Sequence, residues 1–405
     1  MLKKNGRINF VSNFQKNIKK NILFIYILTF LHYSWFWSAI WVLFYLRFTN
    51  YAGVGILETI MILTTVIGEI PTGAIADLLG KKYTLTLAML FACVGNTIMG
   101  ITPSFFFLTI GVIAASLGGV LTSGTTEALV YDSLLTTKDE KSYQKILGNI
   151  SSIKMIALAI SSIVGGFLYS ISPGVPFIFV AFFQLLALIS TLMLTEPPID
   201  SVVFSLKNYL QQTTEGFKEL FKTKEILVKN ISIITMTMVI VMNGHVLIDA
   251  QLVAQGWNGT QLGIISFVMF LASAAIGQLT LFFSNKLGAW FANIFAGLTI
   301  AITMILIPFL GIFVGTAFIM LRNGVMEIFG NSASENINRT TQSKYRATTL
   351  STYNMLANVP YIAAAYFIGK LMDTYSVHTV TGWLGLVLVL IIMMAIIVSP
   401  KIKTV

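Results

Sequence analysis

The decapeptide Gly73-Ala74-Ile75-Ala76-Asp77-Leu78-Leu79-Gly80-Lys81-Lys82 sets one carboxylate, two glycines and a lysine pair between two long apolar runs. Glycine at a helix end permits a tight turn, and a carboxylate there can receive helix N-terminal amides or a basic side chain. Translocating Lys and Arg is disfavoured, so paired lysines anchor such a turn on one side of a bilayer. The stretch reads as a short loop between two membrane-spanning helices.

The rest of the chain agrees. Of its 405 residues 56% are hydrophobic and only 10% are charged, and its mean hydropathy is +0.82. One soluble core of this length could not bury that much apolar surface. A bilayer span takes ~20 apolar residues, and the runs predict spans at 22–46, 55–78, 83–101, 105–131, 149–171 and 177–195. A second set follows at 228–250, 260–283, 289–309, 311–334, 348–369 and 379–399. The first run is too long for a signal-peptide core and has no small-residue cleavage site after it. The layout is a basic tail over 1–21, a six-helix half over 22–195, a polar linker over 196–227, a second half over 228–399 and a tail over 400–405. The lone Cys93 excludes an internal disulfide and reads as a small hydrophobe.

Charge sets the orientation. With the N-terminus in the cytoplasm, all but four of the 26 basic residues fall in cytoplasmic segments. The exceptions are Arg47 and Lys370 in external loops and Lys154 and Arg322 inside spans. Both termini are expected inside, in the cell (inner or plasma) membrane, and the net charge of +10 then reflects topology rather than a nucleic-acid partner. Two basic segments are amphipathic: Phe10, Phe14 and Ile18 recur at helical spacing among lysines, as do Phe217, Leu220 and Phe221. Both are expected on the anionic inner leaflet, with a solvated linker of incidental spacing as the alternative for the second.

The opening stretch resembles the G-x-x-x-D-x-x-G-[RK]-[RK] signature of the major facilitator superfamily, and it lies after the second span on the expected side. Three further segments resemble bacterial members near the drug:proton antiporter branch: Glu69-Ile70-Pro71-Thr72-Gly73, Glu127 to Leu134 and Tyr345 to Ser351. The resemblance implies an all-α integral membrane fold of twelve transmembrane helices in two pseudo-symmetric six-helix bundles, rocking about a central cavity lined by helices one, four, seven and ten. It also implies a conformational latch of Gly73, Asp77, Gly80, Lys81 and Lys82, with Arg346 as an ionic neighbour of Asp77. The symmetry-related stretch, Gly277 to Lys286, has lost its Asp, so the latch is expected to be one-sided. The branch's fifth-helix glycine pattern meets Gly148, Ala157, Ser161, Ser162, Gly165 and Gly166, all small. Its proline is absent, and so is the arginine usual on the fourth helix.

A charge inside the hydrocarbon is costly unless it faces water or a partner, so each such group is a functional candidate. Glu69, His32 and Glu127 are coupling candidates. His32, Trp35, Arg322, Glu327, Asn243 and His245 are substrate-cavity candidates. Glu69 has the alternative of bonding backbone groups freed near Pro71 or pairing within its own bundle, and Glu327 that of balancing Arg322 or engaging Lys and Arg of the inner gate. Glu127 and Lys154, on consecutive helices, are expected to form a structural ion pair. His245 and Asp249, four residues apart, share a helix face, which suits an outer-gate hydrogen bond and is too little for a metal site. Tyr33, Trp37 and Trp41 form an i, i+4 stripe, either a stacking wall for flat amphipathic compounds or a lipid-facing belt.

A phosphate loop is missing, since Gly80-Lys81 lacks both the earlier glycine and the following Ser or Thr, and no H-E-x-x-H or G-x-S-x-G occurs. The expectation is therefore a transporter and not an enzyme. It carries a small organic, amphipathic solute by proton-coupled efflux, as an antiporter of the multidrug-resistance kind, with no cofactor beyond the proton gradient. Metabolite uptake or facilitated diffusion is the alternative, and a sensor without flux a third. The expected partners are the solute and the lipid bilayer, and the chain is expected to be a monomer.

Overall fold

The computed structural model describes residues 2–198, 206–342 and 345–398, except for the side chains of residues 2–16, 69–78, 206–210, 212 and 347. All of its regular structure among these residues is helical. In chain order the helices are α1 (Leu2–His32), α2 (Trp41–Tyr45), α3 (Tyr51–Leu79), α4 (Lys81–Gly100), α5 (Phe105–Thr122), α6 (Thr125–Thr137), α7 (Tyr143–Ile171) and α8 (Val175–Leu192). After the linker come α9 (Leu206–Leu220), α10 (Lys224–Met242), α11 (Ile248–Ala254), α12 (Gly259–Leu287), α13 (Ala289–Leu306), α14 (Ile312–Thr340), α15 (Arg346–Thr374) and α16 (Val377–Val398). Among the described residues, 11 stretches are long and apolar enough to cross a membrane. The broken span α1–α2 completes the expected twelve.

Packing divides the chain into two compact units, one of Met1–Ile40 with Ile60–Ser205 and the other of Trp41–Thr59 with Leu206–Val405. The first unit is centred on Ile25, Leu28, Leu85, Met89 and Leu129. The second is centred on Ile233, Met236, Ile300, Phe329 and Ile392. In both, large apolar side chains such as Phe106, Phe182, Phe309 and Phe313 stand exposed. Leaving one in water forfeits about 2 kcal/mol, so these surfaces are built for lipid.

The first span is not the continuous helix expected over 22–46. After His32 the chain runs through turns closed by Trp35 N–H to Tyr33 O (2.8 Å), Ser38 N–H to Trp35 O (2.9 Å) and Ile40 N–H to Trp37 O (3.0 Å), and α2 then resumes. The Tyr33–Trp37–Trp41 stripe therefore does not form. Instead Trp35 and Trp37 stack with centroids 5.2 Å apart, and Trp37 Nε1 donates to Asn96 Oδ1 at 3.0 Å. Partners impose the break, because the local sequence has neither Gly nor Pro. Gln184 Nε2 donates to the freed His32 carbonyl at 3.0 Å, and the Phe36 carbonyl enters a notch on α7 where a Cβ on Gly165 would lie 1.6 Å away.

Gly165→Val fills that notch. Such overpacking costs about 3 kcal/mol or more, so the purified variant is expected to melt several degrees lower or fail to accumulate. A wild-type melting curve would mean that the break does not depend on the notch.

In the linker, α9 packs on the start of α15: a Cβ on Gly216 would meet Thr352 Oγ1 at 2.3 Å, and Leu220 is fully buried. Asn230 Nδ2 donates to the Leu220 carbonyl at 2.8 Å and fastens the turn into α10. The apolar face is covered by protein. In the N-terminal segment Ile18 is buried, while the side chains of Phe10 and Phe14 lie outside the described residues.

Candidate functional site

Span seven carries the first irregularity of the second unit. Between α10 and α11, residues Asn243–Leu247 form a π-helical turn, a one-residue insertion common at functional sites. The turn holds His245. His245 and Asp249 each have a hydrogen-bond partner of their own. Asp249 Oδ2 accepts a bond from Trp41 Nε1 at 2.7 Å, and His245 Nδ1 lies 3.1 Å from Glu58 Oε2.

Glu58 is buried, at 5% exposure, and sequence reasoning missed it. It stands near the predicted start of span two, where a charge passes for an interfacial group. Only packing against α10–α11 and α15 removes it from water.

The hydrogen bonds around this pair fix its proton content. Asn358 Nδ2 donates to the Asn354 carbonyl at 2.8 Å, which turns Asn358 Oδ1 toward His245 Nε2 at 3.3 Å. Nε2 must then be the donor. A bond between Nδ1 and Glu58 requires one further proton, carried either as imidazolium beside carboxylate or as carboxylic acid beside neutral imidazole. Without it, a lone pair faces an anion. Tyr361 stacks on the imidazole at 4.8 Å and 20°.

The same end of the second unit is closed by backbone contact between α3 and α15. Asp373 accepts the α3 N-terminal amides of Tyr51 and Ala52, each at 2.9 Å, where the helix dipole favours an anion. Thr59 Oγ1 donates to the Ile362 carbonyl at 3.0 Å. A Cβ on Gly55 would lie 2.3 Å from Ala365 O, and one on Gly369 would lie 2.2 Å from Tyr51 O. The two glycines let the helices touch backbone to backbone.

Deeper in the second unit, Arg322 is fully buried. It donates through Nη2 to Gln251, whose Nε2 donates in turn to His378 Nδ1 at 3.4 Å. Its Nε and Nη1 have no hydrogen-bond partner among the described residues. Glu327 does not balance it: that side chain packs by Gly277 and makes no ion pair with Arg322. Asn243, also buried, turns Nδ2 to Met304 Sδ at 3.4 Å.

In the first unit His32 is held rather than free, with Nδ1 3.2 Å from Gln184 Oε1. Trp35 sits between Tyr33 and Trp37 in the aromatic stack. The expected Glu127–Lys154 ion pair is not made. Lys154 Nζ stands 4.5 Å over the Tyr33 ring, while Glu127 is exposed, within electrostatic range only. The ring face takes the ammonium's attention and leaves the carboxylate to solvent.

At the lysine-rich end, Lys81 pairs with Asp132. Glu196 accepts the Lys81 and Lys82 amides at 2.8 and 2.7 Å. Gly80 has φ +92°, and a Cβ there would meet the Glu196 carboxyl at 2.9 Å, so the turn requires glycine. The second unit builds a parallel contact, with Glu335 accepting from Ser284 Oγ at 2.6 Å and pairing with Arg339. Arg346, the first residue of α15, is exposed. The side chains of Glu69, Gly73 and Asp77 lie outside the described residues, so of the expected latch only Gly80, Lys81, Lys82 and Arg346 are described.

Comparison with known proteins follows this geometry. The sequence matches the Major Facilitator Superfamily over residues 22–365. No curated protein matches the chain in sequence. Among solved structures, the nucleoside transporter NupG superposes with a TM-score of 0.74 at 15% identity, covering 96% of this chain and 100% of that one. A POT family transporter in complex with 5-aminolevulinic acid gives 0.73 at 14% identity, with 95% and 97% covered. A bacterial homolog of the human lysosomal transporter Spinster gives 0.67 at 15%, with 95% of each chain covered. Identities this low carry the fold alone.

Proposed function

This chain belongs to the major facilitator superfamily and is a membrane transporter, and from that premise we propose that it carries a small organic solute by alternating access, driven by the proton gradient. The observation that carries the reading is the Glu58–His245 contact, which needs one proton to be made. The lysine-rich end faces the cytoplasm in this reading, and the Glu58 cluster lies at the opposite, external end. A proton taken from outside makes the contact and holds residues 51–59 against α15. Its departure leaves a lone pair facing an anion and weakens the hold. Coupling needs no cofactor. The protein acts as a monomer in the cell membrane with both termini inside.

For direction, efflux of an amphipathic compound is supported by the Tyr33–Trp35–Trp37 stack and by the branch resemblance of the Glu69–Gly73 segment. Uptake of a polar metabolite is the second reading. It is favoured by the buried, under-bonded Arg322 beside Gln251.

Proteoliposomes with a trapped pH dye separate the readings. Amphipathic cations and nucleosides are offered on either side, with and without a proton gradient. Solute flux accompanied by proton flux and stopped by an uncoupler is expected. Flux indifferent to the gradient would replace coupling by facilitated diffusion, and an absence of flux for both solute classes, with correctly inserted protein, would count against the transport mechanism.

A further inference from the structure

The first unit holds a cavity of about 590 Å³ at its lysine-rich end, between α1, α6 and α7. Lys19 of α1, Lys138 just past the end of α6 and Lys145 of α7 line it. All three are exposed, and none forms a salt bridge among the described residues. Lys138 sits in the left-handed region at φ +59°, an unusual conformation for a residue with a side chain. It ends α6 by donating its N–H to Leu135 O at 3.1 Å. The one acid in the lining, Asp139, is engaged by Ser142 Oγ at 2.9 Å. Asn149 Nδ2 donates to Tyr26 Oη at 3.0 Å, placing polar groups beside the lysines. The deeper wall is apolar, formed by Ile18, Ile22 and Ile146.

Three cations, from α1, the α6–α7 turn and α7, stand over an apolar wall at the end expected to face the cytoplasm, and together they match one chemistry. An anionic headgroup meets the ammonium groups while its acyl chains follow the isoleucines into lipid. A soluble anion has no use for the apolar wall, and a neutral headgroup has none for three lysines. We propose that this cavity is a binding site for the phosphate headgroup of an anionic phospholipid, which ties α1 to the α6–α7 turn. The site is independent of the transported solute.

The test uses the full-length protein in nanodiscs of phosphatidylcholine alone or with one-fifth phosphatidylglycerol, read by thermal melting and by native mass spectrometry of retained lipid. In the mixed bilayer the melting temperature is expected to rise by about 3 °C or more, with one anionic lipid retained per chain. Each lysine contributes about fivefold to retention, so Lys138→Gln/Lys145→Gln is expected to lose most of the rise. Both side chains are exposed, so the variant is expected to fold, and its melt in pure phosphatidylcholine checks that. Lys145→Gln alone serves as the milder step. Equal melting of the wild type in both bilayers would overturn the proposal, as would an undiminished rise in the double variant. A rise of the same size from inorganic phosphate in pure phosphatidylcholine would also overturn it, assigning the site to a soluble anion.

Discussion

Glu58→Gln is expected to abolish gradient-driven transport by holding residues 51–59 closed against α15. The reason lies in the donor pattern. With Nε2 of His245 committed to Asn358 Oδ1, a glutamine at position 58 can donate its amide N–H to Nδ1 at any pH. It thus reproduces the protonated acid and keeps residues 51–59 fastened whether or not a proton is available. The opposite defect follows from His245→Ala, which leaves Glu58 buried without its partner. Breaking a buried pair costs about 3 kcal/mol, enough to move a two-state equilibrium about 150-fold. A cysteine at Thr59 in a Cys93→Ser background reports the difference through an impermeant maleimide added outside. Labelling should rise with pH in the parent, stay low in Glu58→Gln and stay high in His245→Ala. Undiminished driven transport in Glu58→Gln would remove Glu58 from coupling. Loss on Glu69→Gln instead would place the proton on Glu69.

What was legible in the sequence follows from which interactions are local. Span number and the turn at Gly80 depend on composition and on residues adjacent in the chain, and these were read. The break at Tyr33–Ile40 was not, because its causes are Gln184 and Gly165, far away in sequence and unremarkable there. Helical arithmetic puts His245 and Asp249 on one face but names neither of their partners, Glu58 and Trp41, which come from elsewhere in the chain. Lys154 was paired with Glu127 by depth alone, whereas the face of Tyr33, displaced by the same break, stood nearer. Glu58 was invisible for a related reason: its burial comes from α10–α11 and α15. Periodicity finds helices, but the identity of a site depends on where they are interrupted.

Gly369→Leu is expected to reduce transport at least as far as Glu58→Gln, through sterics and without touching a titratable group. In the wild type the Tyr51 carbonyl occupies the space where the first side-chain carbon would stand, 2.2 Å away. That neighbour is backbone and cannot swing aside, so the end of α3 must leave α15. Asp373 would then lose the Tyr51 and Ala52 amides it caps, and Thr59 its Ile362 acceptor. Residues 51–59 belong by packing to the second unit, while α3 continues past Thr59 into the first. The contact with α15 is therefore the second unit's own hold on the N-terminal end of α3. In a carrier that alternates, forbidding this grip removes one of the two end states. Overpacking of about 3 kcal/mol would populate the released state almost completely, so maleimide labelling at Thr59Cys should be high at every pH, even below the range in which the parent closes. Unlike Glu58→Gln, the variant should still bind solute from outside, measured as quenching of the Trp fluorescence. Low labelling together with normal turnover in Gly369→Leu would show that α3 and α15 can part without consequence, and the proton at Glu58–His245 would then have no gate to operate.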